Sequence, residues 1–145
     1  MPRPNPLVYD TSVYITAIRE GVLGPNFRTL IDTLPRTYLV SVVSAELRAG
    51  AVTESARRAV HQFTGWAQRV GRVVTPSAAT WNRAGDVLSE IRIKEQQLRS
   101  RIPALWNDLL IALSARQVGA GVVTDNVRDF ELLRRYVRFD LTSLS

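Results

Sequence analysis

The chain has 145 residues, the length of a single domain at about 100–200 residues each, and enough for a core without covalent staples. It has no cysteine, which excludes disulfides, a thiol nucleophile and any thiolate metal site; its formal net charge of +6 is carried almost wholly by arginine, since Lys94 is the only lysine. No apolar run approaches the roughly 18 residues of a membrane span, and the proline-spaced start over 1–6 reads as an extended arm without a signal peptide, so a cytoplasmic protein with no membrane contact is expected. A first strand is predicted at Leu7–Tyr9. Asp10, Thr11 and Ser12 then offer capping side chains to a short helix over 13–19, which Gly21, Gly24 and Pro25 break. Phe27, Leu30, Ile31 and Leu34 share one face of a second helix over 27–34, closed by Pro35. The β-branched stretch 37–43 predicts strand two, with Ser44 capping a helix over 45–48 that Gly50 ends. Helical periodicity covers 53–70 up to Gly71, and a short strand over 72–75 stops at Pro76. A helix over 78–91 carries Trp81, Ala84, Val87, Leu88 and Ile91 on one stripe. The basic stretch 93–101 stays open between a helix extension and a loop. Pro103 suits the first turn of the next helix, which runs to about 118 before Gly119 and Gly121 stop it. A strand at Gly121–Thr124, a helix over 129–136 and a last strand over 137–141 follow. Alternating strands and helices imply one α/β domain over 1–145, with a central, mostly parallel sheet of four to five strands flanked by helices.

Acidic residues stand at four stations along this frame: Asp10, Glu46, Asp108, and the stretch Thr124-Asp125-Asn126-Val127-Arg128-Asp129. Three stations follow short apolar runs, and in open α/β sheets the ligand crevice lies beyond the carboxyl ends of the strands. Taken singly, Asp10 is a helix cap, Glu46 complements a helix dipole, and Asp125 and Asp129 are turn and cap residues. Asp108 is harder to explain in this way. Its neighbours on the helix are Ile111 and Ala112, and an acid at the edge of an apolar face is costly unless bound. Gathered together, such carboxylates need a positive charge among them, and a hard cation such as Mg²⁺ is the natural occupant. A basic chain with a local acidic cluster suits a metal nuclease: the periphery attracts phosphate and the acids hold the metal. Lys94, Arg99 and Arg101 precede Asp108 closely enough to be candidate RNA phosphate contacts. Trp106, two residues before Asp108, is the tryptophan best placed to stack a base.

Four motifs resemble the PIN-domain ribonucleases, and within them the VapC-type toxins of bacterial toxin–antitoxin pairs. They are Asp10-Thr11-Ser12-Val13, Ser44-Ala45-Glu46-Leu47, Asp108-Leu109-Leu110-Ile111-Ala112, and Thr124-Asp125-Asn126-Val127-Arg128-Asp129-Phe130, in the family's order over nearly the whole chain. The resemblance implies that Asp10, Glu46 and Asp108 hold Mg²⁺ or Mn²⁺ and that a bound water attacks an RNA phosphodiester. Where that family uses a fourth acid, this chain has Asn126, so Asp125, Asn126 and Asp129 remain alternatives for completing the metal site. Ser12 and Thr124 are placed to orient the carboxylates or the water. The resemblance further implies a homodimer and a small antitoxin that covers the acidic site. A PIN fold kept as a binding module without catalysis, or a housekeeping RNA-processing nuclease, shares the same motifs. A phosphotransferase of the haloacid-dehalogenase type is disfavoured, because it needs an aspartate where Ser12 stands.

Overall fold

A computed structural model describes residues 5–144. Most of the expected N-terminal arm, 1–4, lies outside the described residues. Five strands form one sheet in the order β3-β2-β1-β4-β5. At the centre β1 (Leu7–Tyr9) lies between β2 (Thr37–Val40) and β4 (Gly121–Thr124), while β3 (Val73–Val74) and β5 (Leu141–Ser143) form the edges. Every pair is parallel, so each connection crosses a face of the sheet, and the helices take those paths. They are α1 (Thr11–Glu20), α2 (Pro25–Thr33), α3 (Ser41–Gly50), α4 (Glu54–Arg69), α5 (Ala78–Lys94), α6 (Ile102–Gln117) and α7 (Val127–Arg134). With both faces covered, β1 is buried throughout as the apolar run Leu-Val-Tyr.

The register fixes where the strands end. Leu7 pairs with both Thr37 and Gly121, so β1, β2 and β4 finish nearly level. The chain builds β1, β2 and β3 toward one edge, then returns to the other side of β1 for β4 and β5. The reversal falls between β1 and β4, and a crevice opens beyond their carboxyl ends.

Helix α6 is the core of one face. Leu105, Leu109, Leu110, Ile111, Ala112 and Leu113 are all buried on it, so it is apolar nearly all round. Pro103 sits in its first turn, as expected, and Gly119 (φ 65°) provides the left-handed residue after its end.

The structure revises several predicted boundaries. β2 ends at Val40 rather than at 43, and Ser44 lies inside α3 instead of capping it. Val43 and Leu47, four residues apart, form the buried face of α3, and that packing overrides the β propensity of 41–43. The undecided stretch splits: α5 extends to Lys94, and Gln96–Arg101 forms a 3-10 helix leading into α6. The last strand is Leu141–Ser143, not 137–141. Val137 and Phe139 are buried in the core, but ladder pairing begins only with Leu141 opposite Val122. Helix α7 starts at Val127, two residues before its predicted start.

Candidate active site

Asp10 leaves β1 at the point where the strand order reverses. Its backbone N–H donates to the Val123 carbonyl at 3.2 Å, which ties it to β4. It stands at the N-cap position of α1, yet its side chain makes no capping hydrogen bond. Its oxygens accept instead from Ser12 Oγ at 2.9 Å and Thr124 Oγ1 at 2.8 Å. Thr124 Oγ1 in turn accepts from the Asn126 backbone N–H at 2.8 Å, which aims its own hydrogen at Asp10. Asp10 is only 4% exposed. Burial raises its carboxyl pKa and the charge of Asp125 adds to the rise, while the bonds from Thr124 and Ser12 oppose it.

Asp125 follows β4 and stays exposed, but Ser12 Oγ lies 2.6 Å from its Oδ1. Ser12 has one hydroxyl hydrogen for two carboxylates. With both acids ionised, one of these contacts brings oxygens together without a proton, a geometry that a cation or a shared proton would relieve.

Glu46 projects from α3. Thr11 Oγ1 donates to its Oε1 at 2.9 Å and Asn107 Nδ2 reaches its Oε2 at 3.5 Å. Asp108 follows Asn107 on α6 and is half-buried. Its carboxyl is pushed up to about 7, first by burial on this apolar helix, then by the charges of Asp129, Asp10 and Glu46; Arg101 pulls the other way. Asp129, buried in the first turn of α7, has its own cation. The Arg101 guanidinium donates to both its oxygens, and Asn126 Nδ2 lies 3.5 Å away.

The fold therefore brings Asp10, Glu46 and Asp129 within electrostatic reach of Asp108 and joins Asp125 to Asp10 through Ser12. Of the candidate basic residues, only Arg101 reaches these acids. Lys94 pairs with Glu90 and lies over the Tyr136 ring, and Arg99 is exposed. Trp106 packs against Trp81 at 6.1 Å and over Gly85, on the α5 side of its helix. Thr11 and Asn107 hold Glu46 and are absent from the residues expected at the site; Asn107, a polar residue beside Asp108 on an apolar helix, was the available signal. Among the described residues, no three His, Cys, Asp or Glu side chains form a ready-made metal cage. The acids are bridged by hydroxyls and amides, and every carboxylate donor is a hard oxygen. That donor set fits a cation such as Mg²⁺, which binds through one or two carboxylates and keeps several waters.

Three solved structures share this architecture over nearly their whole length. A chain of VapBC2 from Rickettsia felis, bound to a DNA fragment from its promoter, matches with a TM-score of 0.64 at 20% identity, covering 96% of this chain and 98% of that one. A chain of DNA-bound VapBC from Salmonella typhimurium matches with a TM-score of 0.67 at 22% identity, covering 97% and 98%. A chain of FitAB bound to an IR36 DNA fragment matches with a TM-score of 0.66 at 16% identity, covering 94% of each. The fold is PIN-like. No protein-family model matches the chain, and no curated protein matches its sequence.

Within this PIN-like frame lies a second feature. An apolar groove of 470 Å³ runs between α1, α2 and α4, lined by Ile18, Phe27, Leu30, Ile31, Phe63 and Trp66 among others. At its wall the Tyr14 hydroxyl is buried with no hydrogen-bond partner among the described residues. A smaller cavity under Ile15 and Ile18 continues past Leu47 to Glu46. No helix among the described residues is long and apolar enough to cross a membrane.

Proposed function

We propose that this protein is a metal-dependent endoribonuclease and the toxin of a toxin–antitoxin pair. The observation that carries the reading is that Asp10 and Glu46, from β1 and α3, act electrostatically on Asp108 of α6 beside the strand-order reversal, where burial first and then the neighbouring acids push its carboxyl up to about 7. Asp10, Glu46 and Asp108 would hold Mg²⁺ or Mn²⁺, with Asp125 beside Asp10, Asp129 beside Asp108 and Asn126 next to Asp129 as the alternatives for completing the site. When bound, the metal lowers the pKa of a coordinated water and offsets charge on the phosphoryl oxygens. Thr124 and Ser12 orient the carboxylate of Asp10 and Thr11 that of Glu46, and the acids would draw together around the ion on loading. Arg101, anchored by Asp129, brings positive charge to Asp108 and faces an incoming phosphate.

The solved neighbours are complexes of two-component systems, which supports a partner protein here as well. An antitoxin segment with an apolar helical face suits the groove between α1, α2 and α4, and its continuation toward Glu46 would bring that segment over the acids. A homodimer and a cytoplasmic location belong to the same reading. Glu46→Gln tests the chemistry: RNA cutting should fall by at least about a hundredfold with RNA affinity retained. Cutting at the wild-type rate would remove Glu46 from the site.

A further inference from the structure

A polar cavity of 400 Å³ shares a wall with the acid cluster. Asp129, which repels charge on Asp108, also lines this cavity with Arg101, Arg128, Arg135, Glu95 and Glu131. We propose that it is a phosphate subsite, holding a backbone phosphate of single-stranded RNA beside the one that is cut. The proposal rests on the ribonuclease reading and extends it from the acids to the substrate path.

Each carboxylate in the lining already has a cation. Asp129 is held by Arg101, and Glu95 by Arg135 and the Tyr136 hydroxyl. Glu131 is held by Arg134, which lies outside the cavity. Arg128 is therefore the cation in the lining with no carboxylate of its own among the described residues. The paired carboxylates orient the planar Arg101 and Arg135 forks, which lowers the entropy lost when they meet a phosphate. Beyond Arg135 the surface continues to Arg134 and Arg138 around a 320 Å³ recess whose lining has no carboxylate. The electrostatic sequence from the acids outward is thus the carboxylates proposed to hold the metal, then Arg101, then arginines of which Arg128 and Arg138 have no carboxylate partner among the described residues. A phosphodiester chain needs that order, because its cut phosphate faces the metal and the next phosphate faces a cation. The structural alternative is that these ion pairs only fasten the segment 95–101 to the segment 129–135.

Arg128→Ala separates the two, since it breaks no ion pair. Arg116→Ala is the control: it removes the same charge at the far end of α6, which the chain leaves to enter β4. Binding of a short labelled single-stranded RNA is followed by fluorescence anisotropy in chelator, over a series of salt concentrations. Arg128→Ala should weaken binding several-fold and reduce the slope of log K against log salt by about 0.7, the value of one single-strand phosphate contact. Arg116→Ala should leave both unchanged, and neither variant should shift the melting temperature. Equal behaviour of the two variants, or no RNA binding by the wild type, would overturn the subsite. Cleavage by the same preparations reads the other claim. Cutting that persists without Arg128-dependent binding sinks the subsite alone. Arg128-dependent binding with no cutting in Mg²⁺ or Mn²⁺ leaves the subsite standing and sinks the nuclease reading.

Discussion

Asp108 carries the strongest consequence at the scale of single residues. Its carboxyl is pushed up to about 7 from an ordinary value of 3.8. Below about pH 4 both the folded and unfolded chains hold the proton, and burial costs nothing. As pH rises from 4 to 7 the unfolded chain releases its proton while the native protein retains it, so stability falls across that window and levels off above it. Each tenfold change in proton affinity corresponds to about 1.4 kcal/mol, and solvent screening at this half-buried side chain reduces the total to on the order of 1–3 kcal/mol. Urea unfolding in chelator should show this decline, and Asp108→Asn should reduce it, leaving the part due to Asp10, whose carboxyl is also raised by burial. A flat wild-type profile would contradict the crowded environment assigned to Asp108. Excess Mg²⁺ should restore stability at pH 7–8 in the wild type but not in Asp108→Asn, because a ligand that binds only the folded state stabilises it. At Thr124 the effect has a different origin. Its hydroxyl is buried and donates to Asp10, so Thr124→Val leaves a buried carboxylate short of a donor and should cost about 1–3 kcal/mol at neutral pH. An unchanged unfolding midpoint would show that Thr124 does not hold Asp10.

Helix α6 and the end of β2 show, at the scale of elements, what the sequence could reveal. Helix α6 was legible because Pro103 and Gly119 mark its ends and its interior is continuously apolar. Its role as the central helix also follows from that composition. Leu109 is fully buried, and Leu109→Ala should cost about 2–5 kcal/mol in equilibrium unfolding. A change below about 1 kcal/mol would place Leu109 outside the core. The stretch 41–43 reads as strand because Val42 and Val43 have β propensity, whereas Val43 is buried on the inner face of α3. Beginning the helix at Ser41 is also what places Glu46 within reach of Thr11 and Asn107. The ion pair between Arg101 and Asp129 was not legible either, because it joins a 3-10 helix to α7 across 28 positions of sequence. No local pattern encodes such a pair. Asp10 and Asp125 stand just after β1 and β4 and Asp108 interrupts an apolar helix, signals the sequence carries, but the hydroxyl of Ser12 shared by Asp10 and Asp125 has no such signal. On the outer elements, Ile31 lines the apolar groove and is 50% exposed. Ile31→Asp should leave folding nearly unchanged and abolish capture of the proposed antitoxin in co-expression. Undiminished capture would move the partner's docking site elsewhere.

Charge and topology act together at the scale of the whole molecule. The net charge of +6 attracts a polyanion to a protein whose crevice at the strand-order reversal is acidic. On the proposed reading, such a molecule would attract RNA through its basic surface and admit it to the carboxylates only with a cation bound. The most direct test is cleavage of a structured RNA pool by purified protein in Mg²⁺, in Mn²⁺ and in chelator, with Asp108→Asn in parallel. The expected result is cutting with either metal, none in chelator, and a loss of at least about a hundredfold in the variant. Cutting that survives chelator, or that Asp108→Asn leaves unchanged, would contradict metal-dependent hydrolysis at this site.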